Sequence, residues 1–201
     1  MQNKNGITLI SLIAVISIII CLSGIIFSVA VRGLSYADKL KCLNNQRQIY
    51  QIFLEYVEDN HDSIPFAKGL DEKDPSIISM KDALARYADT DAIFYCPSDP
   101  RLKDKEFEAE KPEALANGSY DWNAKYFRGK NFSQVENKGD IILLGDFRSG
   151  WHAHKRGFID WILQTQAESP ENRKINVIYA DGHSGYVTEK EWQENLRKYS
   201  V

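Results

Sequence analysis

The 25 positions from Ile7 to Val31 contain no Asp, Glu, Lys or Arg. That uncharged run constrains everything that can follow it. A bilayer core ~30 Å thick is crossed by about 20 apolar helical residues, so the run is long enough to span once. Lys4 precedes it and Arg32 follows it. Lys39 and Lys41 come soon after, so the positive-inside bias is small. The N-terminus is placed in the cytoplasm because the large domain follows the single span. Two other readings compete. A cleaved secretory signal finds small residues at Ser28 to Ala30, "SVA", but its apolar region would usually run about 7–15 residues. A plain uncleaved anchor explains the length but gives no role to the "NG" that precedes "ITLI".

A chain of 201 residues leaves room for one domain of ordinary size beyond the span. Only Lys4 and Arg32 of the 25 basic residues, and none of the 28 acidic ones, fall in the first 32 positions. The remaining part is therefore mildly acidic and has no basic stripe, which argues against nucleic acid as a partner. No internal repeat or low-complexity tract interrupts it.

From Ser35 to about Asn60 there is neither Pro nor Gly. Leu40, Leu43, Tyr50, Leu54 and Val57 recur at spacings of three, four and seven, which places them on one helical face. "NNQRQ" and "EYVEDN" supply an opposite polar face. The pattern predicts one continuous helix from the membrane to about Asn60, closed by "DNHDSIP" because the residue before Pro65 avoids helical geometry. Residues 66–78 read as loop. Ser79 and Asp82 form a box-like start for "MKDALARYA". "YCPSDP" is irregular, "KPEALANGSYDW" mostly loop, and "DIILLGD" a strand. "FIDWILQTQ" fits helix or strand equally. "INVIYADGHSGYVT" reads as a hairpin whose Asp-Gly pair supplies a positive φ. Thr188 and Glu191 form a capping box for "EKEWQENLRKY", with Trp192, Leu196 and Tyr199 on one face.

The segment "NGITLISLIAVISIII" resembles the leader of prepilins and type II secretion pseudopilins: a short polar stub with a Lys, a Gly, then an apolar helix. "CLNNQRQIYQIFLEYVEDNHDSIP", "YCPSDP", "GSYDWN", "IILLGD" and "NVIYADGHSGYV" resemble, in order, segments of the prepilin-type group that carries a C-terminal H-x9-D-G element. The resemblance implies cleavage after Gly6 by a prepilin peptidase, leaving Ile7 as the mature N-terminus. A residue without Cβ is the easiest to extend at the cut. It also implies a single-pass protein of the bacterial inner membrane with a periplasmic or extracellular C-terminal domain. Its partners would be other pilin or pseudopilin subunits and the secretion platform. Two departures stand out. The family's apolar helix usually carries Glu at the fifth mature position, and here that residue is Ser11. The family's His is separated from Asp-Gly by nine residues, whereas 26 residues separate His154 from Asp181.

The expected architecture is α+β: a long N-terminal membrane-anchored helix packed on a small antiparallel β-sheet. Residues 1–6 form the leader and 7–31 the membrane half of the helix. Residues 32–62 form its amphipathic half and 63–201 the exported pilin-like domain. Cys21 lies inside the span as a small packing residue. Cys42 and Cys96 fall in the exported part, where a disulfide can persist. A bridge closing the 53 residues between them is expected, with two free thiols as the alternative. His152, His154, Asp181 and His183, with Asp146 ending a strand, form the one site-like constellation and a candidate structural metal site. No His-Glu-x-x-His, Cys-x-x-Cys, Gly-x-Ser-x-Gly or Walker pattern occurs, so no catalytic residue and no certain cofactor are assigned. The function expected is that of a minor pseudopilin-like subunit without chemistry of its own. The alternatives are a signal-anchored periplasmic metal-dependent enzyme and a ligand-binding receptor. In the receptor, Trp122, Trp151 and Trp161 would line a groove, although core packing is the other use of such residues.

Overall fold

The computed structural model describes residues 9–70, 72–104, 116–148, 151 and 173–199. Helix α1 runs unbroken over Leu9–Asp59, 51 residues, or about 77 Å at the α-helical rise. Its first part, Leu9–Phe27, is long and apolar enough to cross a membrane, and none of it is buried against the rest of the chain. A segment of this length and composition can serve as a membrane anchor or as a signal sequence. The helix stops at Asp59, where His61 and Asp62 take positive φ values of 54° and 69°. The Asp62 N–H then reaches back to the Val57 carbonyl at 2.9 Å. The chain reverses through this left-handed cap before Pro65 is reached.

Four strands form one antiparallel sheet in the order β1 (Tyr120–Trp122), β2 (Ile142–Asp146), β3 (Lys174–Tyr179) and β4 (Ser184–Thr188). The "SYDW" segment, read mostly as loop from its residues but matched to a strand through the resemblance, supplies the edge strand β1, which pairs Tyr120 with Asp146 and Trp122 with Leu144. The register of β2 on β3 shifts between Ile142 and Leu144, so the strand is bulged at Leu143. β3 and β4 are joined by a turn whose tip, Gly182, has φ 91°. A Cβ at Gly182 would stand 2.5 Å from the Tyr50 ring of α1, so the residue must be glycine for the hairpin to lie against the helix.

The second half of α1 covers one face of the sheet. Leu43, Ile49, Phe53 and Val57 of α1 are buried in one cluster with Leu144, Ile178 and Ala180. The face includes Leu43, Tyr50, Leu54 and Val57 of the stripe that the leucine spacing predicts, but it is wider and starts later. Leu40 is exposed, whereas Asn45 and Gln46, from the supposed polar face, are 6 % and 0 % exposed. The short helix α2 (Met80–Leu84) starts at Ser79, whose hydroxyl accepts from the Asp82 N–H at 3.0 Å as expected. Helix α3 (Ala124–Phe127) follows β1.

Helix α4 (Glu189–Lys198) covers the other face. Trp192 is buried with Ile142, Ile175, Val177 and Val187. The capping box is formed: Thr188 Oγ1 accepts from the Glu191 N–H, and Glu191 accepts from the Thr188 N–H. β2 presents no side chain where Trp192 lies closest. A Cβ on Gly145 would be 2.9 Å from Val177 Cγ1 and 3.3 Å from Trp192 Cζ3. Gly145→Ala is therefore expected to destabilise the domain by about 1–3 kcal/mol through overpacking, read as a lower midpoint in urea denaturation. A midpoint unchanged from wild type would show that Trp192 can move aside freely.

Candidate functional site

Cys42, Asn45, Gln46 and Ile49 occupy positions i, i+3, i+4 and i+7 of α1, one helical face, and are buried. Opposite them β2 ends in Asp146, with Tyr120 across the pair on β1 and Asn176 on β3. Asp146 is 1 % exposed and its carboxylate is held from two sides. From the helix, Cys42 Sγ donates to Oδ1 at 2.8 Å and Gln46 Nε2 donates to the same oxygen at 2.9 Å. From the sheet, the Asn176 N–H donates to Oδ2 at 3.0 Å. Gln46 Nε2 also reaches the Asn176 carbonyl at 3.2 Å. Asn45 extends the network, donating to the Tyr95 carbonyl at 3.0 Å and the Tyr120 hydroxyl at 3.4 Å.

Cys96 completes the group. It follows a 3₁₀ turn at Asp91–Phe94 and is 0 % exposed, as is Cys42. The donor atoms of Cys42, Cys96 and Asp146 all lie within 4.8 Å of one another, and the three residues could together hold a metal ion. Burial dominates their ionisation. It pushes the Asp146 carboxyl up to about 7, against the opposing pull of its hydrogen bonds from Cys42, Asn176 and Gln46. Burial first, then the neighbouring Cys96 and Asp146, pushes the Cys42 thiol far above the ordinary range. The Tyr120 hydroxyl is raised in the same way. A dry pocket of this kind disfavours anions unless a cation enters it.

The loop that delivers Cys96 is fixed by Asp99, which sequence reasoning missed. Asp99 is 0 % exposed. It accepts from the Arg101 N–H at 2.9 Å, from Arg101 Nε at 3.0 and 3.1 Å and from Ser119 Oγ at 2.6 Å. Arg101 also donates to the Gly118 carbonyl at 3.1 Å. Its guanidinium lies 5.2 Å from the Trp151 ring centre. The two-residue spacing of Asp and Arg in "SDPR" was the available signal.

The sequence-predicted residues fall as follows. Cys42 and Cys96 are brought side by side as expected, but unbridged; the Cys42 thiol is turned to Asp146. Asp181 and His183 meet at the hairpin tip, where Asp181 Oδ1 accepts from the His183 N–H at 3.0 Å and lies 2.6 Å from Nδ1. That dyad is roughly half exposed, and the His183 ring stacks on Tyr179 at 4.1 Å. Asp146 belongs to the buried group under α1 instead. His152, His154, Gly6, Ile7, Trp161 and the "FIDWILQTQ" segment lie outside the described residues. Trp122 is 4 % exposed, and its indole N–H donates to the Lys68 carbonyl at 2.9 Å, so it serves the core.

Comparisons of the chain with protein-family models, with curated proteins and with solved structures each give no match.

Asp99 and Arg101 generate a test of the loop. Asp99→Ala strands a largely buried guanidinium and should cost about 3 kcal/mol. The double change Asp99→Leu with Arg101→Leu should cost clearly less. Thermal denaturation of both variants measures the difference, and equal losses would mean the pair contributes only its bulk.

Proposed function

We propose that this chain is a pseudopilin-like subunit, of the minor class, in a type II secretion or type IV pilus-like assembly of a bacterial inner membrane. The observation that carries the proposal is the continuity of α1. One helix of 51 residues leaves its apolar first part unburied and builds its second half into the core of a small α+β domain. An apolar rod rigidly joined to a head can sit in a bilayer as a monomer. It can also bundle with like rods in a filament, with the heads outside. The polar stub with Lys4 and Gly6 ahead of the rod supports the same reading, because cutting after Gly6 keeps the anchor. The metal-capable residues under α1 have no exposure to a substrate, so the proposal assigns the chain no reaction.

Processing is the direct test. Co-expression with a prepilin peptidase should give a membrane-bound product starting at Ile7, and Gly6→Leu should abolish the cut by placing a bulky side chain at the scissile position. Mass spectrometry that finds only Met1, or a start at Val31, in the peptidase-containing strain would defeat the proposal.

Ser11 sets the class of subunit. Each mature chain would bring an α-ammonium at Ile7 into apolar surroundings, where an unpaired charge costs several kcal/mol. A hydroxyl at position 11 offers a dipole where a carboxylate would offer a counter-charge. The chain should therefore enter a filament in few copies, beside subunits that carry the Glu, or at its end. Ser11→Glu should raise its share in sheared filaments several-fold, quantified by immunoblot against a complete secretion machine. Abundant filaments of the unmodified protein alone would refute the minor role.

A further inference from the structure

We propose that Cys42, Cys96 and Asp146 form a buried structural site for a thiophilic divalent cation, Zn²⁺ being the best match, with the Gln46 amide as the fourth donor. The proposal does not rest on the filament reading. It stands on two independent observations.

The first is the donor set. Two sulfurs and one carboxylate oxygen converge within 4.8 Å in a pocket where all three residues are at most 1 % exposed. Zinc binds Cys at about 2.3 Å and carboxylate at about 2.0–2.2 Å in a tetrahedron. That geometry sets sulfur and oxygen donors roughly 3.5 Å apart. The Cys42 Sγ to Asp146 Oδ1 distance is 2.8 Å, so a side-chain adjustment of less than about 1 Å admits the ion. The donors come from three separate elements: α1, the loop before Asp99 and the end of β2. An ion held by all three would tie the helix to both layers packed under it.

The second is a buried amide beside the same donors whose oxygen has no partner while its nitrogen is spent on Asp146 and Asn176. Gln46 is 0 % exposed, and its Oε1 has no hydrogen-bond partner among the described residues. Its Nε2 points at Asp146 Oδ1 at 2.9 Å and lies 4.0 Å from Cys42 Sγ. A half-turn of the carboxamide exchanges the two atoms. Without a cation that half-turn sets oxygen against oxygen. With a cation among the donors it supplies the fourth ligand.

Chemical balance favours a cation over a disulfide. Oxidation of the pair would remove the S–H that Cys42 donates to a buried carboxylate, and would add no donor in its place. Zinc displaces the two thiol protons to solvent and sets its charge of +2 against two thiolates and Asp146. The Asn176 N–H on Oδ2 shares the residual negative charge. Softness selects the ion: two thiolates suit Zn²⁺ and exclude Ca²⁺ and Mg²⁺, which take oxygen ligands.

The test uses the full-length chain purified in detergent without added metal or chelator. Elemental analysis should find close to one zinc per chain. After chelation and reloading with Co²⁺, the spectrum should show the thiolate-to-cobalt charge-transfer band and the visible bands of a tetrahedral site. Asp146→Asn, Cys42→Ser and Cys96→Ser should each lose that spectrum, and Cys21→Ser should keep it. Gln46→Leu should weaken zinc by at least 10- to 100-fold, the range for losing even a group that only supports a ligand. Should the cysteine variants fail to fold, the unmodified chain still decides the matter. Peptide mapping that finds Cys42 bonded to Cys96, together with no zinc or cobalt uptake by the reduced chain, overturns the proposal. So does a cobalt spectrum that survives in folded Asp146→Asn.

Discussion

The carboxylate of Asp146 fixes how the long helix sits on the sheet. Apolar burial of Ile49, Phe53, Leu144 and Ile178 supplies most of the stabilisation at about 25 cal/mol per Å². That force is non-directional, and α1 could rotate or slide within it at modest cost. Asp146 removes the freedom. It accepts from Cys42 and Gln46 of the helix and from the backbone of β3 at once. Each buried hydrogen bond contributes only about 1.5–3 kcal/mol when the acceptor is charged. Leaving any of them unmade exposes a desolvated group, so one rotation of the helix satisfies the set. Stability therefore comes mainly from burial, and orientation from the polar contact.

The same division explains what the sequence disclosed. The uncharged run, the helix without Pro or Gly, the two strands around Asp-Gly and the Thr188–Glu191 box are local signals, and each element appears where those signals lie. The direction in which α1 faces is not local. Leu43, Tyr50, Leu54 and Val57 of the regular stripe pack on the domain, but Leu40 stays out and the buried face widens to Cys42, Asn45 and Gln46. Polar residues read as solvent-facing unless their partner is known, and Asp146 lies 100 positions from Gln46. β1 escaped the reading of its residues for a related reason. Three residues at a sheet edge carry too short a period to register, and only the pairing of Tyr120 with Asp146 defines them as strand.

Other features show how the Cys96 donor is held. Asp99 and Arg101 form a bidentate pair with Ser119 as a further donor, in a loop with little regular structure of its own. The Asp99 N–H returns to the Cys96 carbonyl at 2.9 Å, which closes the turn around the thiol. A buried ion pair of this type contributes little net stability against an apolar equivalent. Its geometric demands suit a loop whose task is to hold one side chain in place. On the opposite face, Gly145 lets Trp192 approach β2, so that the strand carrying Asp146 is packed from both sides.

Position along the helix gives the polar group its mechanical meaning. Cys42 is the first buried residue of α1 among those described, counting from the N-terminal end. Leu9–Phe27 is unburied, Lys39 reaches the Tyr186 ring of β4 at 4.1 Å, and from Cys42 onward the helix contributes to the core. Bending between rod and head would concentrate near this boundary, where burial of the helix begins. A helix held there only by apolar side chains would fray or pivot about Leu43 and Ile49. The directional contacts from Cys42 and Gln46 to β2 and β3 lie at that boundary, so they resist pivoting with the longest lever arm available to the domain. A long apolar rod joined to a head through a single helix gains its stiffness at the junction from such directional contacts.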